Sequence, residues 1–189
     1  MRLYCATTNP GKLREFRLAF EGKFEVETLP GLGDIPPPEE TGATFEENAI
    51  QKALYYSKYV DEYLFVDDSG LEVAALNGAP GVYSARFAGP EADDAANNRL
   101  LLERMQGVRD RAAKFVCVVA LGRAGQLIRT FRGEVEGRIV DEPRGRNGFG
   151  YDPLFFYPPF GCTFGEAPLE RKMGVSHRAI ALRALADSF

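Results

Sequence analysis

The chain has 189 residues, 45% of them hydrophobic and 26% charged, with a net charge of −4. That length fits one domain spanning 1–189, or at most two small lobes, and buries roughly 70% of the unfolded surface without a disulfide or zinc staple. Its longest apolar run, Phe115 to Leu121, falls short of the roughly 18 residues a membrane helix needs, and the start turns polar too early for a signal peptide.

Acidic balance argues against a general nucleic-acid surface, and an anionic small-molecule substrate would need a locally basic pocket on this acidic body. Cys5, Cys117 and Cys162 form no C-x-x-C pair and read as the reduced thiols of a cytoplasmic protein. His177 is the only histidine, which excludes metal sites built on two or three imidazoles. A metal here would take carboxylate ligands, favouring magnesium or manganese over zinc.

In chain order, residues 2–7 read as a strand, followed by Asn9-Pro10, an N-cap with proline at the first helical position. Leu13, Phe16 and Phe20 then share a helix face. A strand over 24–29 leads to a stiff loop, Pro36-Pro37-Pro38-Glu39-Glu40-Thr41-Gly42. Thr44-Phe45-Glu46-Glu47 is a capping box opening a helix to about 59. Residues 64–66 form a short strand ending at Asp67-Asp68-Ser69-Gly70, with another strand over 71–76. A helix over 91–106 stops at Gly107, and strands follow over 113–121 and 127–140. A glycine- and aromatic-rich loop region spans 145–159. Ser176 caps a last helix whose inward stripe is Ala179, Leu182 and Ala186. Alternating strands and helices with later antiparallel strands predict an α/β fold with a mixed sheet.

Three stretches carry chemistry. Thr7-Thr8-Asn9-Pro10-Gly11-Lys12 leads a strand into a helix N-terminus, where free N–H groups and the dipole favour an anion. Lys12 opposes that dipole, a conflict that a bound phosphate, or simple solvation of the lysine, relieves. In Asp67-Asp68, successive strand residues face opposite sides, so the carboxylates diverge: one reaches a cleft to hold a hard cation and deprotonate water, its neighbour is structural. The same four residues also suit an Asx turn closing a hairpin. Ser176-His177-Arg178 opens the last helix with cationic groups against its dipole, near Lys172, while Lys52 shares a face with Asn48. Basic groups at several element starts converge on a polyanion, or are separately solvated. Phe149-Gly150-Tyr151-Asp152-Pro153 offers a ring for stacking on a base, or a turn whose aromatics belong to the core.

These blocks, with Gly78-Ala79-Pro80-Gly81-Val82-Tyr83-Ser84-Ala85-Arg86, run in order over nearly the whole chain and together resemble the inosine triphosphate pyrophosphatase family. The resemblance implies an elongated mixed sheet flanked by helices, with two lobes and a nucleotide cleft between them. It implies hydrolysis of ITP, dITP and XTP to the monophosphate and pyrophosphate, with magnesium (or manganese), by a homodimer. By the same resemblance Asp68 is the general base and, with Glu40, a metal ligand. Thr7, Asn9, Lys12, Lys52 and Ser69 hold the triphosphate and ribose. Thr8, where many members carry glycine, crowds the phosphate or donates to it. Phe149 stacks on the base, Gly150, Tyr151 and Asp152 shape the same wall, and Lys172, His177 and Arg178 line the base edge. Tyr83 and Arg86 match a block without an assigned step.

Two alternatives stand beside this reading: a pyrophosphatase of similar architecture acting on pyrimidine or modified nucleotides, as in the septum-inhibitor-like family, and a nucleotide-binding sensor without catalysis. A serine esterase using Ser69 and His177 lacks the G-x-S-x-G elbow.

Overall fold

Asn9 caps helix α1 (Pro10–Ala19) in the computed structural model, which describes residues 1–189, its side-chain oxygen accepting from the Gly11 and Lys12 N–H groups. The helix connects β1 (Arg2–Cys5) to β2 (Glu25–Thr28), and the two strands pair in parallel. Helix α2 (Phe45–Tyr56) opens on the expected capping box: Thr44 accepts from the Glu47 N–H, and the Glu47 carboxylate accepts from the Thr44 N–H. A 3-10 turn over Ser57–Tyr59 extends it.

The expectation of two strands broken at Asp67-Asp68-Ser69-Gly70 is corrected. One continuous strand, β3 (Leu64–Val73), runs through all four residues. No Asx turn forms there, and farther along the strand the Ser84 hydroxyl accepts the Leu71 N–H at 2.9 Å and itself donates to the Gly81 carbonyl. Helix α3 (Asp94–Arg104) starts later than its pattern predicts, since Asp93 is the residue whose side chain caps it, accepting from Ala96. Strands β4 (Ala112–Arg123) and β5 (Gln126–Ile139) are joined by Ala124 and Gly125, both with positive φ, as a two-residue hairpin turn requires. Within the expected glycine-rich loop lies a short strand, β6 (Phe155–Tyr157), followed by β7 (Cys162–Thr163), α4 (Leu169–Met173) and α5 (His177–Ala186).

The seven strands form one mixed sheet in the order β2-β1-β3-β4-β5-β6-β7. Pairing is parallel around β1 and antiparallel from β5 through β6 to β7. The chain divides into two compact units. The first comprises Met1–Asp68, Cys117–Gly133 and His177–Phe189; its core gathers Leu3, Phe16, Phe20, Phe65, Val119 and Leu182. Gly133 lets α5 lie directly on β5, since a Cβ there would come within 2.8 Å of the Ala181 nitrogen and collide with the His177 carbonyl. The second unit comprises Ser69–Val116 and Glu134–Ser176, around Leu71, Leu101, Phe115, Tyr151, Phe155 and Phe164. No helix is long and apolar enough to cross a membrane.

Candidate active site

In the first unit the alternation of β3 sends its two aspartates to different partners. Asp67 turns to Lys12, whose Nζ donates to Oδ1 at 2.9 Å, and to Arg178, whose Nε and Nη2 donate to Oδ2 at 3.2 and 3.1 Å. Arg178 Nη1 also donates to Glu15 Oε2 at 2.5 Å, and all three side chains are essentially fully buried. Burial alone would push the Asp67 carboxyl up, but the Lys12, Arg178 and Lys52 charges hold it well below the usual carboxylate range. The Cys117 thiol, 3.8 Å from Asp67, is pushed up by burial first and by that carboxylate next.

Asp68 faces a second cation. Lys52 Nζ donates to Asp68 Oδ1 at 2.8 Å and to the Asp67 carbonyl at 2.9 Å, and lies 3.1 Å from Glu40 Oε1. One ammonium is thus bracketed by two carboxylates, leaving an excess negative charge. Burial raises the Asp68 carboxyl against the opposing pull of Lys52, and Glu40 raises it further, so this carboxylate is more basic than usual. Lys52 keeps its proton more firmly than usual: its burial opposes the charge, but Asp68 and Glu40 outweigh that.

No three His, Cys, Asp or Glu side chains gather into an all-protein metal cage. The two oxygen donors at Lys52 instead suit a hard divalent cation that takes one or two carboxylates and completes its shell with water and phosphate oxygens.

The remaining expected residues of this unit sit at element starts. Thr7 Oγ1 accepts from the Asn9 N–H at 3.2 Å, and Thr8 is exposed. The Asn9 side-chain oxygen is occupied with capping. Lys12 meets Asp67, which resolves its conflict with the helix dipole without a ligand. His177 and Arg178 open α5 and are buried rather than solvated. Three Arg178 nitrogens already have carboxylate partners, so Arg178 reaches a base edge only by leaving at least one of them.

The second unit assembles the aromatic loop. Lys172 Nζ, almost fully buried, donates to Asp152 Oδ2 at 2.6 Å and stands 5.2 Å from the centre of the Phe149 ring. The same Asp152 oxygen accepts the Phe149 N–H, fixing the ring's backbone. Gly150, in the left-handed region at φ 59°, has its peptide gripped on both sides. Its N–H donates to Asp94 Oδ2 at 2.6 Å, and its carbonyl accepts from Asn98 Nδ2 at 3.1 Å. The Tyr151 hydroxyl donates to the Ser84 carbonyl at 2.7 Å; burial raises this phenol and Asp94 raises it further. Ser69, half-buried, lies on the part of β3 that belongs to this unit.

Sequence reasoning missed Glu15, Asn48, Asp94 and Asn98 as site-building residues. Glu15 had a signal, sharing a helix face with Lys12 at i, i+3. Asp94 and Asn98 had none, because Gly150 lies more than fifty residues away in the chain.

Fold and site define an α/β protein with a mixed seven-stranded sheet and a buried carboxylate–lysine centre. The chain belongs to the Ham1 family, whose model matches residues 3–188. It is similar to a dITP/XTP pyrophosphatase of Exiguobacterium sp., 51% identical over 98% of this chain and 95% of that one. A dITP/XTP pyrophosphatase of Syntrophobacter fumaroxidans is 52% identical over 99% of this chain and 81% of its own. Among solved structures, the Staphylococcus aureus Ham1 protein superposes with a TM-score of 0.87 at 41% identity, covering 99% of this chain and 97% of that one.

Proposed function

We propose that residues 1–189 act as one catalytic domain that hydrolyses the non-standard purine triphosphates dITP, XTP and ITP to monophosphate and pyrophosphate. The single observation that carries this is a basic, buried Asp68 beside Lys52 and Glu40, in a chain about half identical over nearly its whole length to proteins named dITP/XTP pyrophosphatase. Both relatives compared above are named dITP/XTP pyrophosphatases, which favours this reading over a pyrimidine-directed enzyme or a non-catalytic sensor.

In the proposed reaction Asp68 accepts a proton from water as the water oxygen bonds to the α-phosphorus. The bond from that phosphorus to the α–β bridging oxygen breaks, and pyrophosphate leaves with the electron pair. Lys12, Lys52, Ser69, Thr7, Thr8 and Asn9 are assigned to the phosphates and ribose. Glu40 and Asp68 are the ligands offered to magnesium, or to manganese, and the bound cation supplies charge neutralisation at the phosphate oxygens.

Phe149 is assigned to stack on the purine, backed by Gly150, Tyr151 and Asp152, while Lys172 and His177 read its edge, joined by Arg178 once it releases one of its carboxylate partners. A 6-oxo group accepts from such donors; the 6-amino group of adenine opposes them. Each buried group left unsatisfied costs about 1–3 kcal/mol, so two or three mismatches reach roughly 10⁴-fold discrimination. A cytoplasmic homodimer is the proposed working form.

The test is product identification with ITP, dITP, XTP, dTTP and UTP in the presence of magnesium, for the natural chain and for Asp68→Asn. Inosine or xanthosine monophosphate plus pyrophosphate, and an inactive variant, are expected. Release of orthophosphate alone, or a preference for pyrimidines, would contradict the proposal.

A further inference from the structure

We propose that Asn48 is a positioning residue that locks the Asp68 carboxylate and the Glu40 loop into one frame, an inference that rests on the catalytic reading of Asp68 given above. Asn48 is completely buried on α2. Its Oδ1 accepts from the Gly42 N–H at 2.8 Å, and its Nδ2 donates to Asp68 Oδ2 at 3.4 Å. One amide therefore joins the backbone two residues after Glu40 to the carboxylate oxygen that Lys52 does not hold.

The approach leaves no space for a side chain at position 42, where a Cβ would lie 2.7 Å from both Asn48 Oδ1 and Glu47 Cβ. The rest of the acidic loop is fastened along the same helix. Gln51 accepts from the Thr41 N–H and donates to the Thr41 hydroxyl, and the Tyr55 hydroxyl donates to the Pro36 carbonyl. Residues 48, 51 and 55 fall on one face of α2 at i, i+3 and i+7. The proline-rich loop is thereby held as a rigid arm rather than a free tether.

The chemistry asks for asparagine in particular. Its side chain must accept at one end and donate at the other, which an amide does and a carboxylate or alkyl group does not. A carboxylate has two equivalent oxygens and can turn about its last torsion, so holding Oδ1 alone leaves the proton-accepting lone pairs unaimed. Lys52 is charged, and the proposed reaction also assigns it to the phosphates. Asn48 is neutral and stays, keeping Asp68 aimed when its other partner is drawn away.

Two nearly isosteric variants divide the role. Asn48→Leu removes both bonds; Asn48→Asp retains an acceptor for the Gly42 N–H but presents oxygen to oxygen at Asp68. With ITP and magnesium, both variants lose kcat by about 10–100-fold, the loss expected of a misplaced catalytic group, while KM changes less than about threefold. Amide hydrogen exchange, read on the protein without nucleotide, separates them: Gly42 exchanges at least about tenfold faster in Asn48→Leu and keeps its protection in Asn48→Asp. If either variant keeps kcat within twofold of the natural chain, or loses activity through KM alone, Asn48 does not position Asp68. Unchanged Gly42 exchange in Asn48→Leu overturns the tether to the loop. Asp68→Asn run alongside tells the two readings apart: its retention of full turnover overturns the role of Asp68 itself, whereas its inactivity together with unaffected Asn48 variants overturns only this inference.

Discussion

Replacing Arg178 with methionine tests whether the buried charge cluster of the first unit is a structural necessity. The substitution keeps side-chain length and removes the charge from a site where Arg178, Glu15 and Asp67 are each at most 2% exposed at the side chain. Breaking a buried ion pair from one side costs about 3–5 kcal/mol, because it strands the opposite charge away from water. Lys12 remains 2.9 Å from Asp67 Oδ1 and continues to compensate it, so the lower half of that range, about 3–4 kcal/mol, is expected. For a chain of this size each kcal/mol lowers the melting temperature by about 2–4 °C, giving a drop of about 6–16 °C. Pairing the change with Glu15→Gln removes one of the stranded carboxylates and should recover at least about 1 kcal/mol.

The chain contains no tryptophan, so urea titrations followed by far-UV circular dichroism are the suitable assay. The pH dependence supplies an independent check. Asp67 is held below its ordinary value in the fold, so its stabilising contribution is present above the unfolded value of about 3.9 and is lost as the pH falls toward the folded one. The deficit of Arg178→Met is therefore full at neutral pH and shrinks in acid, where the carboxylates are protonated in both proteins. A variant within 1 kcal/mol of the natural chain at pH 7, or a deficit that grows as the pH falls, would refute this account of the cluster.

Two further outcomes are expected. Gly70→Ala places a Cβ against Ser84 Oγ and 2.7 Å from the Gly81 carbonyl, and this overpacking lowers stability by about 1–3 kcal/mol in the same urea titrations; an unchanged midpoint would mean the contact is not tight. Asp94→Ala frees the Gly150 N–H while Asn98 still holds the carbonyl; steady-state kinetics should show KM for ITP raised about three- to tenfold, a loss of roughly 0.7–1.4 kcal/mol, with kcat nearly unchanged, whereas an equal fall in kcat would place the effect on chemistry.

Local rules carried the sequence reading as far as they reach. The Asn9 cap, the Thr44–Glu47 capping box and the buried runs of β1 and β4 act over four residues or fewer, or by simple alternation, so composition and spacing determine them. The ordered blocks likewise identified the family before any coordinate was needed. Divergence of Asp67 and Asp68 also followed from strand periodicity, although the break expected after them did not occur. Ser84, fourteen residues beyond Gly70, accepts the N–H of Leu71 within β3, and nothing within the Asp-Asp-Ser-Gly stretch announces that contact.

Only the tertiary structure decided where the charges went. Arg178 meets Asp67 across 111 residues and Glu15 across 163, Lys52 finds Asp68 across 16, and Asn48 reaches Asp68 across 20. Helix and strand patterns state which face a side chain occupies, but a charge has no preferred partner until packing removes water and brings an opposite charge within about 3 Å. That selection is made by the whole fold at once, which is why the elements could be read from the chain and the pairings could not.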